Sequence, residues 1–163
     1  PARALGGTKG LAALGRMAKE DPLLRKHSRE VTDFGKRTGE LIDDLLETVV
    51  AADGYGLAAP QIGTLRRVVV VFDGEKHVPL VNPVIIDRSG SVTQEEACLS
   101  VPGECGLVTR PQKVTVRACD RDGRLFDWTA EDMTARCICH EVDHLDGRLY
   151  TDIAIEMYET NEE

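Results

Sequence analysis

The chain has 163 residues, 42% hydrophobic and 29% charged, with a formal net charge of −8. That is enough chain to bury a core in one domain without disulfide or metal staples, and the acidic balance argues against direct nucleic-acid or anionic-membrane binding. No apolar run approaches the ~20 residues of a bilayer span, no secretory signal opens the chain, and five cysteines cannot all pair internally, which points to a reducing cytoplasm.

Residues 1–20 mix Gly, Ala, Arg and Lys and read as a loosely held extension, with a short helix over 10–19, ahead of a single domain filling the chain. Asp21-Pro22 is a turn. Thr32 is placed to cap a helix starting at Asp33, whose apolar positions Phe34, Leu41, Ile42, Leu45, Leu46, Val49 and Val50 recur at helical spacing until Gly54 ends it. Residues 54–63 are small and glycine-rich, suited to a connection or to close approach of a backbone to a ligand. Within them Gln61 carries a side-chain amide able to donate to a developing oxyanion.

A β-branched run over 67–72 predicts a buried strand, and Asp73-Gly74 turns it back onto 78–81. Asn82-Pro83 breaks that strand before 84–87, and Ser89-Gly90 makes another turn. Residues 94–103 are turn-rich and carry one thiol, Cys98. Alternation over 113–119 and the Asp122-Gly123 turn predict a hairpin onto 125–128. Hairpins with only two substantial helices indicate an α+β domain with antiparallel sheets rather than a doubly wound one.

The second helix is expected over 130–146, capped by Thr129 and ended by Gly147. It contains His140-Glu141-x-x-His144. One turn apart on one face, two neutral imidazoles can share one divalent ion, and the adjacent carboxylate can take a proton from water activated there. Ile138, Val142 and Leu145 mark the core side; Met133, Cys137, His140, Glu141 and His144 lie beside it, on the wall of a pocket. An open catalytic site needs a third ligand. Cys98 is one candidate, although most cysteines serve packing; the downstream Glu156 and Glu159 are others, as in a zinc endopeptidase. A closed structural metal site or a thiol redox sensor is the non-enzymatic alternative. The acidic tail beyond Tyr150 reads as solvated.

Gly54-x-Gly56-x-Ala58-Ala59-x-Gln61, Glu96-x-Cys98-Leu99-Ser100 and His140-Glu141-x-x-His144 resemble, in order, the three motifs of the peptide deformylases. The likeness runs from about residue 21 to 152. It implies antiparallel sheets packed around a central helix carrying the histidine motif, and hydrolysis of the N-formyl group on the N-terminal methionine of new peptides. By the same resemblance Cys98, His140 and His144 bind one divalent metal, Fe²⁺ physiologically with Zn²⁺, Ni²⁺ or Co²⁺ as substitutes. Glu141 is then the general base and acid, Gln61 and the Leu99 N–H are the oxyanion donors, and Glu96 with Arg110 braces the cysteine loop. Gly54, Gly56, Met133 and Cys137 border the methionine pocket.

Three departures stand out. Ala97 replaces a usual glycine, so a negative φ is expected there. Cys105 stands where some relatives carry a basic residue near the peptide groove. A long basic C-terminal helix is missing, so transient ribosome association is compatible with the sequence but gains no support from it.

Overall fold

The structure, a computed structural model, describes residues 13–14 and 21–160. The short helix expected over 10–19 lies almost wholly outside them. Among the described residues the fold is α+β: a five-stranded antiparallel sheet, a three-stranded antiparallel sheet and two long helices. Among the described residues, no helix is long and apolar enough to cross a membrane.

The valine run makes strand β2 (Val68–Phe72), paired with β1 (Gly56–Ala58) and β3 (His77–Ser89); β6 (Lys113–Cys119) and β7 (Leu125–Glu131) extend the sheet in the order β1-β2-β3-β6-β7. Side chains alternate across a strand. Val69 and Val71 pack with Ile138, Val142 and Leu145 of helix α2 (Asp132–Leu145), whereas Val68 and Val70 pack with Ile42, Leu45 and Val49 of helix α1 (Lys36–Ala51). A helix on each face explains why β2 is continuously apolar rather than alternating.

Several expected boundaries move. Helix α1 starts at Lys36, with Gly35 rather than Thr32 at its cap. Asp33 is held in a turn instead, its carboxylate accepting from Gly35 N (3.0 Å) and its carbonyl from Thr38 Oγ1 (2.6 Å). Val50, expected in the apolar stripe, is 47% exposed. At the far end Gly54 N donates to Val49 O and Asp53 N to Val50 O, with Asp53 at φ 56. That is the paired-carbonyl stop in which a left-handed residue closes the helix.

The capping box expected at Thr129 does not form. Thr129 lies in β7 and its hydroxyl meets that of Thr115 across the β6–β7 pair at 2.8 Å. The strand runs to Glu131, and Asp132, at φ 55, turns directly into α2. The break expected at Asn82-Pro83 is an irregularity inside one strand. Asn82, at φ 53, exchanges side-chain hydrogen bonds with both backbone groups of Val31.

Residues 94–103, read as turns, instead fall largely in a hairpin of β4 (Val92–Cys98) and β5 (Val101–Arg110). Part of the acidic tail is a strand too: β8 (Glu156–Glu159) is exposed yet paired with β5. A register shift falls between Glu96 and Cys98, spanning Ala97, and Ala97 keeps the negative φ expected of it.

Gly147 follows α2 at φ 76, and a Cβ there would collide with the Arg25 carbonyl. Backbone strain and contact therefore act together. Gly147→Ala is expected to destabilise by more than about 1 kcal/mol, lowering Tm by at least ~2–4 °C. An unchanged melting curve would contradict this account.

Candidate active site

Two elements bring the chemistry together. Helix α2 carries His140, Glu141 and His144, and β4 carries Glu96 and Cys98 on its buried face. The Cys98 Sγ lies 3.3 Å from His144 Nε2. One ligand atom from each of Cys98, His140 and His144 falls within 4.8 Å of the others. Among the described residues no fourth His, Cys, Asp or Glu joins this cluster. Glu156 and Glu159 are on exposed β8, outside it.

His140 Nδ1 is 2.9 Å from Glu96 Oε1. A carboxylate oxygen accepts, so Nδ1 carries the proton and Nε2 is left free to ligate. Glu96 is itself gripped. Arg110 donates through Nε to Oε2 (2.8 Å) and Nη2 to Oε1 (3.0 Å), and Arg136 Nη1 donates to Oε2 (2.7 Å). Arg110 also reaches Asp143 at 2.7 Å. The Glu96 and Arg110 side chains are each 5% exposed, so theirs is no surface pair. Burial opposes the Glu96 charge, but hydrogen bonds from His140 and Arg110 hold its carboxyl well below the usual range. Two arginines against two carboxylates leave the network neutral, which is what burial requires.

Glu141 is buried beside the triad, and burial pushes its carboxyl up to about 7. Its Oε1 has no hydrogen-bond partner among the described residues. Its Oε2 borders Gly56, where a Cβ would lie 2.8 Å away and only 2.7 Å from Cys137 Sγ. Gln61 is set by the 3₁₀ turn Ala59–Ile62. Its Oε1 accepts from Ala58 N (2.9 Å), and its Nε2 donates to Ser100 Oγ (3.1 Å) and is directed at Cys98 Sγ (3.6 Å). Burial of His144 holds its imidazole in the neutral form, the form in which an imidazole can bind a metal. Burial also raises the Cys137 thiol, leaving a neutral, apolar wall group.

These groups open on a cavity of about 500 Å³. Of the residues expected from the sequence, Gly54, Gly56, Gln61, Leu99, Met133 and Cys137 line it together with Glu96, Cys98, His140 and Glu141. His144 and Arg110 are buried but do not line it, and Met133 sits half exposed. Cys105 is buried on β5 and does not itself line the cavity, although the adjacent Glu104 does. Sequence reasoning missed Arg136, Asp143 and Tyr150, whose ring stacks on His140 at 6.0 Å. Arg136 stands one turn before His140, and that spacing was its only signal. Its guanidinium also donates to Val108 O (2.9 Å) and Val92 O (2.7 Å), tying α2 to both strands of the cysteine hairpin.

One thiol and two imidazoles, one of them pre-oriented, suit a single divalent ion. With a partnerless carboxylate alongside, the arrangement is that of a metal-dependent hydrolase. The sequence profile of polypeptide deformylases matches residues 17–159, and this chain belongs to that family, whose members remove the N-formyl group from newly made peptides. It is 50% identical over 132 residues to the peptide deformylase of Agathobacter rectalis, covering 81% of this chain and 84% of that protein. The Caldicellulosiruptor bescii peptide deformylase is 49% identical over 143 residues, covering 88% and 86%. Among solved structures, the Thermotoga maritima peptide deformylase superposes with a TM-score of 0.82 at 34% identity, covering 84% of this chain and 94% of its own. That of Legionella pneumophila gives 0.81 at 41%, covering 84% and 83%.

Arg136→Met would leave Glu96 with one cation fewer and unclamp the hairpin from α2. Loss of one partner of a buried pair typically costs ~3–5 kcal/mol, and loss of a group supporting a ligand weakens metal binding ~10–100-fold. Denaturant unfolding and chelator competition should both register the change. Wild-type metal affinity would refute a supporting role.

Proposed function

We propose that this chain removes the formyl group from formyl-methionyl nascent peptides in the cytoplasm as one catalytic domain, organised around α2. Cys98, His140 and His144 hold one divalent ion. The observation that carries the reading is a partnerless Glu141 oxygen, buried beside three converging metal donors and bordering a peptide-sized cavity.

When bound, the ion supplies Lewis-acid polarisation of the formyl carbonyl and lowers the pKa of water. Glu141 takes the proton of the attacking water, and a carboxyl raised by burial is well matched to hold it near neutral pH. It then gives that proton to the departing amine, so formamide and water become formate and a free N-terminus. The Gln61 amide and the Leu99 N–H donate to the oxygen on which charge develops. Gln61 is held near this position by Ala58 and Ser100, and the Nε2–H directed at Cys98 Sγ, a long contact of 3.6 Å, is the one that turns to the oxyanion. Met133 and Cys137, with Gly54 and Gly56 leaving room, receive the methionine side chain. The His140–Glu96 bond fixes the ligand tautomer throughout.

The ion is Fe²⁺, with Zn²⁺, Co²⁺ and Ni²⁺ acceptable to the same donors. Equal turnover of zinc- and iron-loaded protein prepared without oxygen would count against iron. Formate release from formyl-Met-Ala-Ser tests the whole reading. Glu141→Gln, with metal content matched, should be slower by ~100–10,000-fold, and Gln61→Ala by ~100–1000-fold. A Glu141→Gln enzyme as fast as wild type would end the proposed mechanism, and a Cys98→Ala enzyme that keeps its metal would end the ligand assignment.

A further inference from the structure

One histidine outside the metal cluster touches the cavity's lining segment. His77 opens β3 and places its Nε2 2.9 Å from the carbonyl oxygen of Gly54. A carbonyl only accepts, so Nε2 carries the proton. Gly54 leaves helix α1 with its N–H on Val49 O, and its carbonyl, past the helix end, has the imidazole as its donor. The next carbonyl, of Tyr55, accepts from Phe72 N at 2.8 Å, and Gly56 then begins the β1–β2 pairing opposite Val71.

The same hairpin end grips this segment through its rings. His77 stands opposite Phe72 in the β2–β3 register, their rings 5.1 Å apart, and Phe72 meets the Tyr55 ring edge-on at 5.8 Å. The connecting turn is braced by the Asp73 carboxylate, which accepts from the N–H groups of Glu75 and Lys76. Residues 54–56 therefore hang on this hairpin by one side-chain and one backbone hydrogen bond to successive carbonyls, by the β1–β2 pairing at Gly56 and by a chain of three ring contacts.

On its other side the segment has no slack. A Cβ on Gly54 would lie 2.9 Å from Leu99 Cδ1, and one on Gly56 2.8 Å from Glu141 Oε2. Gly54, Tyr55 and Gly56 all line the cavity. We propose that His77 is a positioning residue for peptide binding, pinning the Gly54 carbonyl so that this wall keeps the spacing from Leu99 and Glu141 that a substrate needs. The assignment rests on the deformylase reading and names a side chain outside its chemistry. Glu96, Gln61 and His140 are fixed by bonds of their own that do not pass through Gly54, so release of the wall acts on binding and spares turnover.

Formate release from formyl-Met-Ala-Ser is measured for wild type, His77→Phe and His77→Gln at matched metal content. Phenylalanine keeps a ring on Phe72 and removes the donor; glutamine restores one. Expected for His77→Phe is a KM raised about three- to tenfold, the worth of one hydrogen bond, with kcat within about twofold. His77→Gln should recover most of the KM. His77→Leu serves as the donor-less variant should His77→Phe not fold. An active wild type with unchanged KM in the donor-less variant overturns the role of His77 alone, as does a loss of kcat that glutamine does not rescue. A wild type inert toward formylated peptides overturns the deformylase reading and this assignment with it.

Discussion

The site depends first on the Glu96 carboxylate, which takes hydrogen bonds from His140, Arg110 and Arg136 at once. Glu96 lies on the smaller sheet and its partners His140 and Arg136 on α2, so this one group joins the part that bears the thiol to the part that bears the imidazoles. Charged groups out of water are costly, and an apolar replacement of equal volume is often no less stable. The network is better understood as a device for geometry. It selects one imidazole tautomer and holds β4 against α2 at the distance at which sulfur and nitrogen converge.

The rest of the fold gives that device a rigid frame. Because β2 is buried on both faces, α1 and α2 are fixed relative to one another through a single layer of valines. The end of α1 leads within a few residues into β1 and the Gln61 turn, and α2 carries His140, Glu141 and His144. Both walls of the cleft are thereby referred to the same sheet. Small residues do the rest: Gly56 lets the backbone pass within contact of Glu141 and Cys137.

What could be read from the sequence follows from how local each signal is. The valine run, the alternation over 113–119 and the paired histidines on one helix face are short-range patterns, and each appears where expected. The β4–β5 hairpin was hidden because its buried face carries Glu96, which inverts the usual inward-apolar pattern, and because Pro102 and Gly103 read as breakers. Thr129 matched a helix cap, but a cross-strand hydroxyl partner in Thr115 competed for it and won. Arg136 was invisible for a related reason: a charge on an amphipathic helix reads as solvent-facing, and only the tertiary fold brings the carboxylate and two carbonyls that let it be buried.

The candidate donors come from distant parts of the chain, a sulfur at a hairpin bend and two nitrogens on helix α2. An ion held by all three would act as a bolt through pieces that the polypeptide joins only by a long route. A ligand that recognises only the assembled state deepens that state by mass action, ~4 kcal/mol at a thousandfold excess over its Kd. Starved of its ion, such a protein becomes idle and more easily unravelled together, so that its persistence in a cell tracks the supply of the atom on which its work depends.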